Sequence, residues 1–355
     1  MTESNHGEES IAFAVGGTGG HVLPALHIAR HLPGEGKRIL IGVGICENPF
    51  VSQKEFKRFN VVGKNFSSGI LTGAFQIIKG AKEAVKILRK EGCTHVIGMG
   101  GYHSLPVLLA AFYLKIPITL YEPNIIPGKV NKFFSLFSKR TLVLFDEVKK
   151  HLYGSVRLLD LATSGPLLKD LPSKGLLRKE FGLDENVTTI LIFGGSRGAK
   201  PINDLIHDTL AYMKEGIQVI HLTGSAHEIK EVYQKHGIKA FVATFFKDMD
   251  RAWAACDFAI CRSGAGTIKE ALVSKTPTVL IPYPHAVNDH QNHNAQFMEQ
   301  TVGGGKRVLQ QEIDTKKLIE LMDEFCCPEN REKMKENIHV YLTSRKGEAI
   351  DALLL

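Results

Sequence analysis

The 355-residue sequence has no long hydrophobic run. Its longest stretch free of Lys, Arg, Asp and Glu covers residues 92–114, glycine, histidine and proline break it, and only 105–114 is continuously apolar, about half the length of a membrane span. A transmembrane chain is therefore not expected. The first ten residues carry three glutamates and no apolar core, so no secretory leader is expected either. Six cysteines (Cys46, Cys93, Cys256, Cys261, Cys326 and Cys327) form no CxxC pair and have no regular spacing, which argues against a disulfide framework and for reduced thiols in a cytosolic protein. A dinucleotide fingerprint is missing: counting from Gly17, Val22 stands where the last glycine belongs, and the strand at 38–43 ends without a ribose-binding acid. Gly198-Ala199-Lys200-Pro201 is not a Walker A sequence, so nucleotide hydrolysis lacks its parts. No arginine-rich arm or RNP-like aromatic motif points to nucleic acid.

What is present is the balance of a soluble globular protein, 44% hydrophobic and 23% charged, long enough for two domains. Its net charge of +7 is uneven: residues 1–160 hold 20 Lys+Arg against 12 Asp+Glu, or +8, and the remainder carries −1. The basic half is expected to face something anionic, a phospholipid surface or a phosphorylated substrate. Short β-branched runs bounded by glycine alternate with 3.6-period segments throughout, the signature of parallel sheets with crossover helices. Expected strands are 11–15, 38–43, 95–98, 118–121 and 141–145 in the first half, and 189–193, 218–222, 240–244, 258–261, 278–281 and 306–309 in the second. The pattern restarts near Thr188 after a Pro, Gly and Lys-rich passage, 165–182, which reads as the connection between two doubly wound domains.

Both halves open on a strand, a glycine turn and a helix. The turns are Gly16-Gly17-Thr18-Gly19-Gly20-His21 and Gly194-Gly195-Ser196-Arg197-Gly198-Ala199, and a third, Gly98-Met99-Gly100-Gly101-Tyr102, also follows a strand. Backbone N–H groups in such turns cradle phosphate, although a single turn could equally be a tight bend and nothing more. The densest polar constellation is Arg262-Ser263-Gly264-Ala265-Gly266-Thr267-Ile268-Lys269-Glu270. There Glu270 could accept hydrogen bonds from a ribose diol while Ser263 to Thr267 offer N–H groups to a diphosphate. Thr267 and Glu270 also have the spacing of a capping box. Farther on, His290-Gln291-Asn292-His293-Asn294 opens a helix with polar groups only, which suggests a ligand. No metal is expected: His27 with His31, and His285, Asp289, His290 and His293, lack a further ligand in register, and Asp248 of the DxD-like Asp248-Met249-Asp250 is expected to be an N-cap.

Taken in order, GGTGGH from Gly16 to His21, GMGGY from Gly98 to Tyr102, Glu122-Pro123-Asn124, GGSxGA from Gly194 to Ala199, CRSGAxTxxE from Cys261 to Glu270 and HQxxNA from His290 to Ala295 resemble the MurG family of peptidoglycan N-acetylglucosaminyltransferases. The resemblance runs from about residue 11 to the C-terminus. It implies an α/β, GT-B fold of two Rossmann-like domains facing each other across a cleft: residues 1–163 for a lipid-linked acceptor, lipid I, completed by a C-terminal helix 340–355, and residues 164–339 for UDP-GlcNAc. It implies donor contacts at Ser196, Phe246, Arg262, Ser263, Gly264, Thr267, Glu270, His290, Gln291 and Asn294, with Thr18, Gly19, Gly20 and Asn124 on the cleft side. Gly16, Gly17, His21, Gly100, Gly101 and Tyr102 fall on the acceptor side, and Asn203 matches a further family position. Departures are Pro123, Arg197 where the family has glutamine, and Ser164-Gly165-Pro166-Leu167-Leu168, which lacks the family's arginine; Lys169 or Arg197 would then supply charge to the donor phosphates.

The reaction implied is inverting transfer of GlcNAc to the C4 hydroxyl of the MurNAc residue, making lipid II, with no cofactor and no metal. His21 at a helix start, where the dipole disfavours imidazolium, is the expected base, with Glu122 the next candidate and Asn124 beside it. The alternatives are another GT-B enzyme, on a different glycolipid or as a UDP-GlcNAc epimerase, and a catalytically silent sugar-nucleotide binding protein. Expected partners are UDP-GlcNAc, lipid I, an anionic phospholipid surface and other cell-wall synthesis proteins, with the enzyme peripheral on the cytoplasmic face of the bacterial inner membrane. The apolar residues Ile70, Leu71, Phe75, Ile77 and Ile78 beside Lys79, Lys82 and Lys86, and Phe133, Phe134, Leu136 and Phe137 beside Lys132, Lys139 and Arg140, are the expected contact, some of them being ordinary core.

Overall fold

A computed structural model describes residues 9–16, 19–34, 36–52, 54–63, 70–161, 171–195, 198–224 and 229–349. The chain divides into two compact units, Met1–Gly165 with Lys346–Leu355, and Pro166–Arg345.

The first unit is built on seven parallel strands: β1 (Ser10–Gly16), β2 (Lys37–Val43), β3 (Lys57–Asn60), β4 (His95–Gly98), β5 (Ile118–Glu122), β6 (Arg140–Val143) and β7 (Val156–Leu158), in the order β3-β2-β1-β4-β5-β6-β7. Every residue of β1 is buried, as a central parallel strand covered on both faces requires. The described helices are α1 (Gly19–His31), α2 (Ile70–Lys90), α3 (Leu105–Tyr113) and α4 (Lys129–Phe134). Ala84 and Leu88 of α2, Val107, Leu108 and Ala111 of α3 and Phe134 of α4 pack with Ala12, Ile39, Val96 and Leu120 of the strands.

The second unit carries six parallel strands: β8 (Thr188–Phe193), β9 (Ile217–Leu222), β10 (Ala240–Ala243), β11 (Phe258–Cys261), β12 (Thr278–Leu280) and β13 (Gly305–Arg307), in the order β10-β9-β8-β11-β12-β13. Its helices among the described residues are α5 (Lys174–Glu180), α6 (Lys200–Thr209), α7 (Ile229–Lys235), α8 (Met249–Ala255), α9 (Ala265–Val273), α10 (His290–Gln296), α11 (Thr315–Cys326) and α12 (Pro328–Ser344). In each sheet the strand order reverses beside the opening strand, between β1 and β4 and between β8 and β11. Open α/β sheets bind ligands at the carboxyl ends of such a pair, where β1, β4, β8 and β11 run into their glycine-containing motifs.

Three expectations need correction. The passage 165–182 is not simply a connection: α5 forms within it and belongs to the second unit. There buried Arg178 donates to the Ala255 and Glu185 carbonyls and to Asp257, and Lys174 also reaches Asp257. The helix expected over 340–355 ends instead at Ser344. Glu348 then pairs in parallel with Leu159, its N–H donating to the Leu158 carbonyl at 2.8 Å, so the chain rejoins the first unit as extended backbone; residues 350–355 lie outside the described residues. Finally, β3 and β7 were not expected. They stand at the two ends of the strand order, and at four and three residues they are too short to show a periodic pattern.

Candidate active site

In the first unit, the ends of β1, β4 and β5 gather the expected groups. His21 is the third residue of α1. A Cβ at Gly101 would stand 3.3 Å from His21 Cε1 and 3.5 Å from Nε2, and Gly101 has φ +74°, so only glycine lets the GMGGY turn lie against the imidazole without strain. Tyr102 begins a 3₁₀ turn and its half-buried ring packs on the core. On β5, Glu122 is buried and its carboxylate is fully engaged. Oε1 accepts from the Asn124 N–H at 3.0 Å and Asn124 Nδ2 at 3.1 Å; Oε2 accepts from the Gly128 N–H and Asn131 Nδ2, both at 2.9 Å. Burial raises the Glu122 carboxyl above its usual range, and these four bonds oppose the rise. With four donors on four lone-pair positions, it braces the 123–128 loop and aims Asn124; no lone pair is left for a substrate proton. Asn131 also donates to the Tyr121 carbonyl, tying α4 to the end of β5.

In the second unit, Gly264 is the N-cap of α9, so Thr267 lies at the third helical position and Glu270 at the sixth. The capping box is not formed. Glu270 Oε2 instead accepts from the indole Nε1–H of Trp253 at 2.9 Å. Burial raises the Glu270 carboxyl, the Trp253 bond and Lys269 oppose this, and Asp250 reinforces it. Burial likewise lowers the Lys269 amine to about 8, against the pull of Glu270. Ser263 Oγ donates to the Gln291 carbonyl at 2.7 Å, and Asn294 Nδ2 donates to the Ser263 carbonyl at 3.0 Å, so α9 and α10 start side by side. Gln291 Oε1 accepts from the Tyr283 N–H, and His290 Nδ1 donates to the Val287 carbonyl at 2.7 Å, which leaves Nε2 as the acceptor of the neutral ring.

Arg262 is buried and its guanidinium faces inward: Nη1 donates to the carbonyls of Ile281 (3.1 Å) and Pro282 (2.9 Å), and Nη2 to Gln310 Oε1 (2.6 Å). It secures the chain after β12 more than it offers a charge to a phosphate. Phe246 packs its ring with Phe181 and Phe241, at centroid distances of 5.2 and 5.9 Å. Asp248 occupies the N-cap position of α8, but its side chain makes no capping bond. Among the described residues no group of three or more His, Cys, Asp or Glu is placed to hold a metal ion.

The first half of the chain, residues 11–143, matches the glycosyltransferase family 28 N-terminal domain, and residues 189–352 match the family 28 C-terminal domain. A Protochlamydia amoebophila protein named UDP-N-acetylglucosamine--N-acetylmuramyl-(pentapeptide) pyrophosphoryl-undecaprenol N-acetylglucosamine transferase is 35% identical over 92% of this chain and 90% of its own length. The chain belongs to the MurG family. An Aquifex aeolicus member of the same name is 33% identical over 97% of this chain and 99% of its own. The crystal structure of Acinetobacter baumannii MurG, 24% identical, superposes with a TM-score of 0.76 over 98% of both chains, so the fold is the GT-B fold of two Rossmann-like domains.

Of the positions that the MurG motifs mark, Gly16, Gly100, Gly101, Tyr102, His21, Glu122 and Asn124 collect at one end of the first sheet, and Arg262, Ser263, Gly264, Thr267, Glu270, Gln291 and Asn294 at one end of the second. Gly19 and Gly20 open α1. Gly17, Thr18, Lys169, Ser196 and Arg197 lie outside the described residues. Sequence reasoning missed Asn131 and Trp253, and also a buried chain behind the Gly194–Ala199 turn, of which it marked only Asn203. In that chain the Tyr233 hydroxyl donates to His221 Nδ1 (3.0 Å), His221 Nε2–H donates to Asn203 Oδ1 (3.1 Å), and Asn203 Nδ2 donates to the Thr223 carbonyl (3.0 Å). That carbonyl abuts Gly198, φ +70°, where a Cβ would collide with it. A histidine inside an apolar strand is the one signal that points to this chain.

Proposed function

We propose that the chain transfers GlcNAc from UDP-GlcNAc to the C4 hydroxyl of MurNAc in undecaprenyl-pyrophosphoryl-MurNAc-pentapeptide, lipid I, forming lipid II for peptidoglycan synthesis. The observation that carries this is 35% identity over 92% of the chain to a relative named for that reaction. The donor half supports it, with an acceptor carboxylate on α9 for a ribose and the N–H groups at the α9 start for a diphosphate. The C4 hydroxyl attacks C1 of GlcNAc from the face opposite UDP. The new C1–O bond forms as the C1–phosphate oxygen bond breaks, His21 takes the hydroxyl proton, and UDP carries away the electron pair. Helix N-termini stabilise the charge that develops on the diphosphate, and no metal step is required.

The acceptor's lipid keeps it in a bilayer, so the first unit must reach a membrane surface. No helix among the described residues is long and apolar enough to cross one. Side chains suited to peripheral contact are exposed: Phe75 and Ile78 on α2, and Phe112, Phe133, Leu136 and Phe137 around α3 and α4. Ile77 and Phe134 from the same runs are core. Phe112 and Phe137 touch edge to face at 5.1 Å and, with Ile116, Pro117, Lys115 and Lys139, line a cavity of about 420 Å³. Apolar rings flanked by lysines suit an anionic leaflet, which is the cytoplasmic face of a bacterial inner membrane. The reaction is tested with radiolabelled UDP-GlcNAc and a lipid I analogue: a disaccharide product is expected, and epimerised or unchanged nucleotide sugar would refute it.

A further inference from the structure

The donor half contains a contact that the family motifs do not include. Trp253, the only tryptophan of the chain, is 2% exposed at the buried face of α8, with its ring edge to face on Phe193, the last residue of β8, at 5.6 Å and 89°. An indole has one polar atom, a donor, and here it is spent on Glu270 Oε2 at 2.9 Å. Among the described residues no hydrogen bond reaches the other Glu270 oxygen, and the residue is half-buried rather than closed off.

We infer that Trp253 is a positioning residue for the donor: its indole N–H pins one oxygen of Glu270, so that the other meets the ribose diol of a uridine nucleotide. This rests on the reading of Glu270 as the ribose ligand. A free glutamate must give up side-chain rotamers to bind, whereas one held by an indole wedged against Phe193 has given them up on folding. The bond also favours the ionised carboxylate, against burial and Asp250, and so keeps Glu270 an acceptor for both hydroxyls. Ribose recognition therefore passes through a residue that touches no substrate.

The test is calorimetry of UDP and 2′-deoxy-UDP on the full chain, with Trp253→Phe and with benzothienylalanine in place of Trp253, which keeps the ring shape and replaces the N–H with sulfur. Glu270→Ala is the control. The wild type should prefer UDP by about 10-fold, one charge-assisted hydrogen bond's worth. Both Trp253 variants should reduce that preference to under about 3-fold, place the loss in donor KM more than in kcat, and move the acid limit of UDP binding to higher pH. If the benzothienyl protein keeps the wild-type preference and acid limit while Glu270→Ala loses the preference, Trp253 is only packing and the inference falls alone. If Glu270→Ala keeps the preference, the ribose reading falls and takes this inference with it.

Discussion

Replacing Glu122 with glutamine separates a brace from a base. The carboxylate accepts four hydrogen bonds, two on each oxygen, at 2.9–3.1 Å. A glutamine amide has one oxygen and one NH₂. Whichever way it turns, its NH₂ faces two donors, either the N–H and Nδ2 of Asn124 or the Gly128 N–H and Asn131 Nδ2. Two buried or part-buried donors then lose this acceptor, at about 1–3 kcal/mol each, for a total of about 2–6 kcal/mol. For a unit of this size about 1 kcal/mol lowers Tm by roughly 2–4 °C, so scanning calorimetry should find the first unit melting on the order of 5–20 °C earlier. Activity should fall because Asn124 is no longer held; if His21 is the base, as proposed, the ionisation that governs kcat/KM should stay where it was. Glu122→Gln with an unchanged Tm, a kcat lower by more than about 10³ and a missing basic ionisation would mean that Glu122 is the base, and the account of the 123–128 loop would be wrong.

His21→Ala should lower kcat by about 10²–10⁴ while UDP affinity, read by calorimetry, stays at the wild-type value; a kcat within a few-fold of wild type would move the base elsewhere. If helix N-termini take the diphosphate charge, as proposed, turnover should survive EDTA; loss on chelation with recovery in Mg²⁺ or Mn²⁺ would refute that. Lys79 and Lys82 are exposed on α2, and Lys79→Glu with Lys82→Glu should weaken binding to anionic vesicles by about 1 kcal/mol or more per site, with activity on a water-soluble acceptor analogue retained; equal binding to neutral vesicles would count against the lipid reading. His95 is held neutral by burial and by Lys139 and Arg140, its pKa lowered from 6.5 to about 4, with Nε2 bonded to Thr119 Oγ1 at 2.9 Å. The unfolded chain takes up this proton first, so stability should be full above pH 6.5 and fall by about 3 kcal/mol as pH drops toward 4; His95→Gln should flatten that part of the Tm profile, and an unchanged slope would show the loss arises elsewhere.

The central strands were legible because a parallel strand covered on both faces has to be apolar where it is covered, and residues 11–15 within β1 and 190–193 within β8 are. The edge strand Lys57–Asn60 escapes that requirement: it bonds one neighbour, keeps polar side chains in water and reads like a loop. The glycine turns were legible for a related reason, since a chain that must bend at once from strand to helix beside a ligand can use little else, and each turn follows its strand directly in sequence. The residues that hold those turns obey no such local rule. Asn131 reaches back nine positions to Glu122, His221 eighteen to Asn203, and Trp253 forward seventeen to Glu270. The two members of each pair lie on different elements, so periodicity within one element says nothing of them, and they meet because the chain returns to the same sheet end. Arg262 and Glu270 make the point within one motif, eight residues apart on the same strand-to-helix junction. Among the described residues the glutamate keeps one oxygen outside the protein's own bonds, whereas the arginine is drawn in by two carbonyls and Gln310. A motif identifies which residues stand at the sheet end, and the long-range bonds decide which of them have a free atom to offer a ligand.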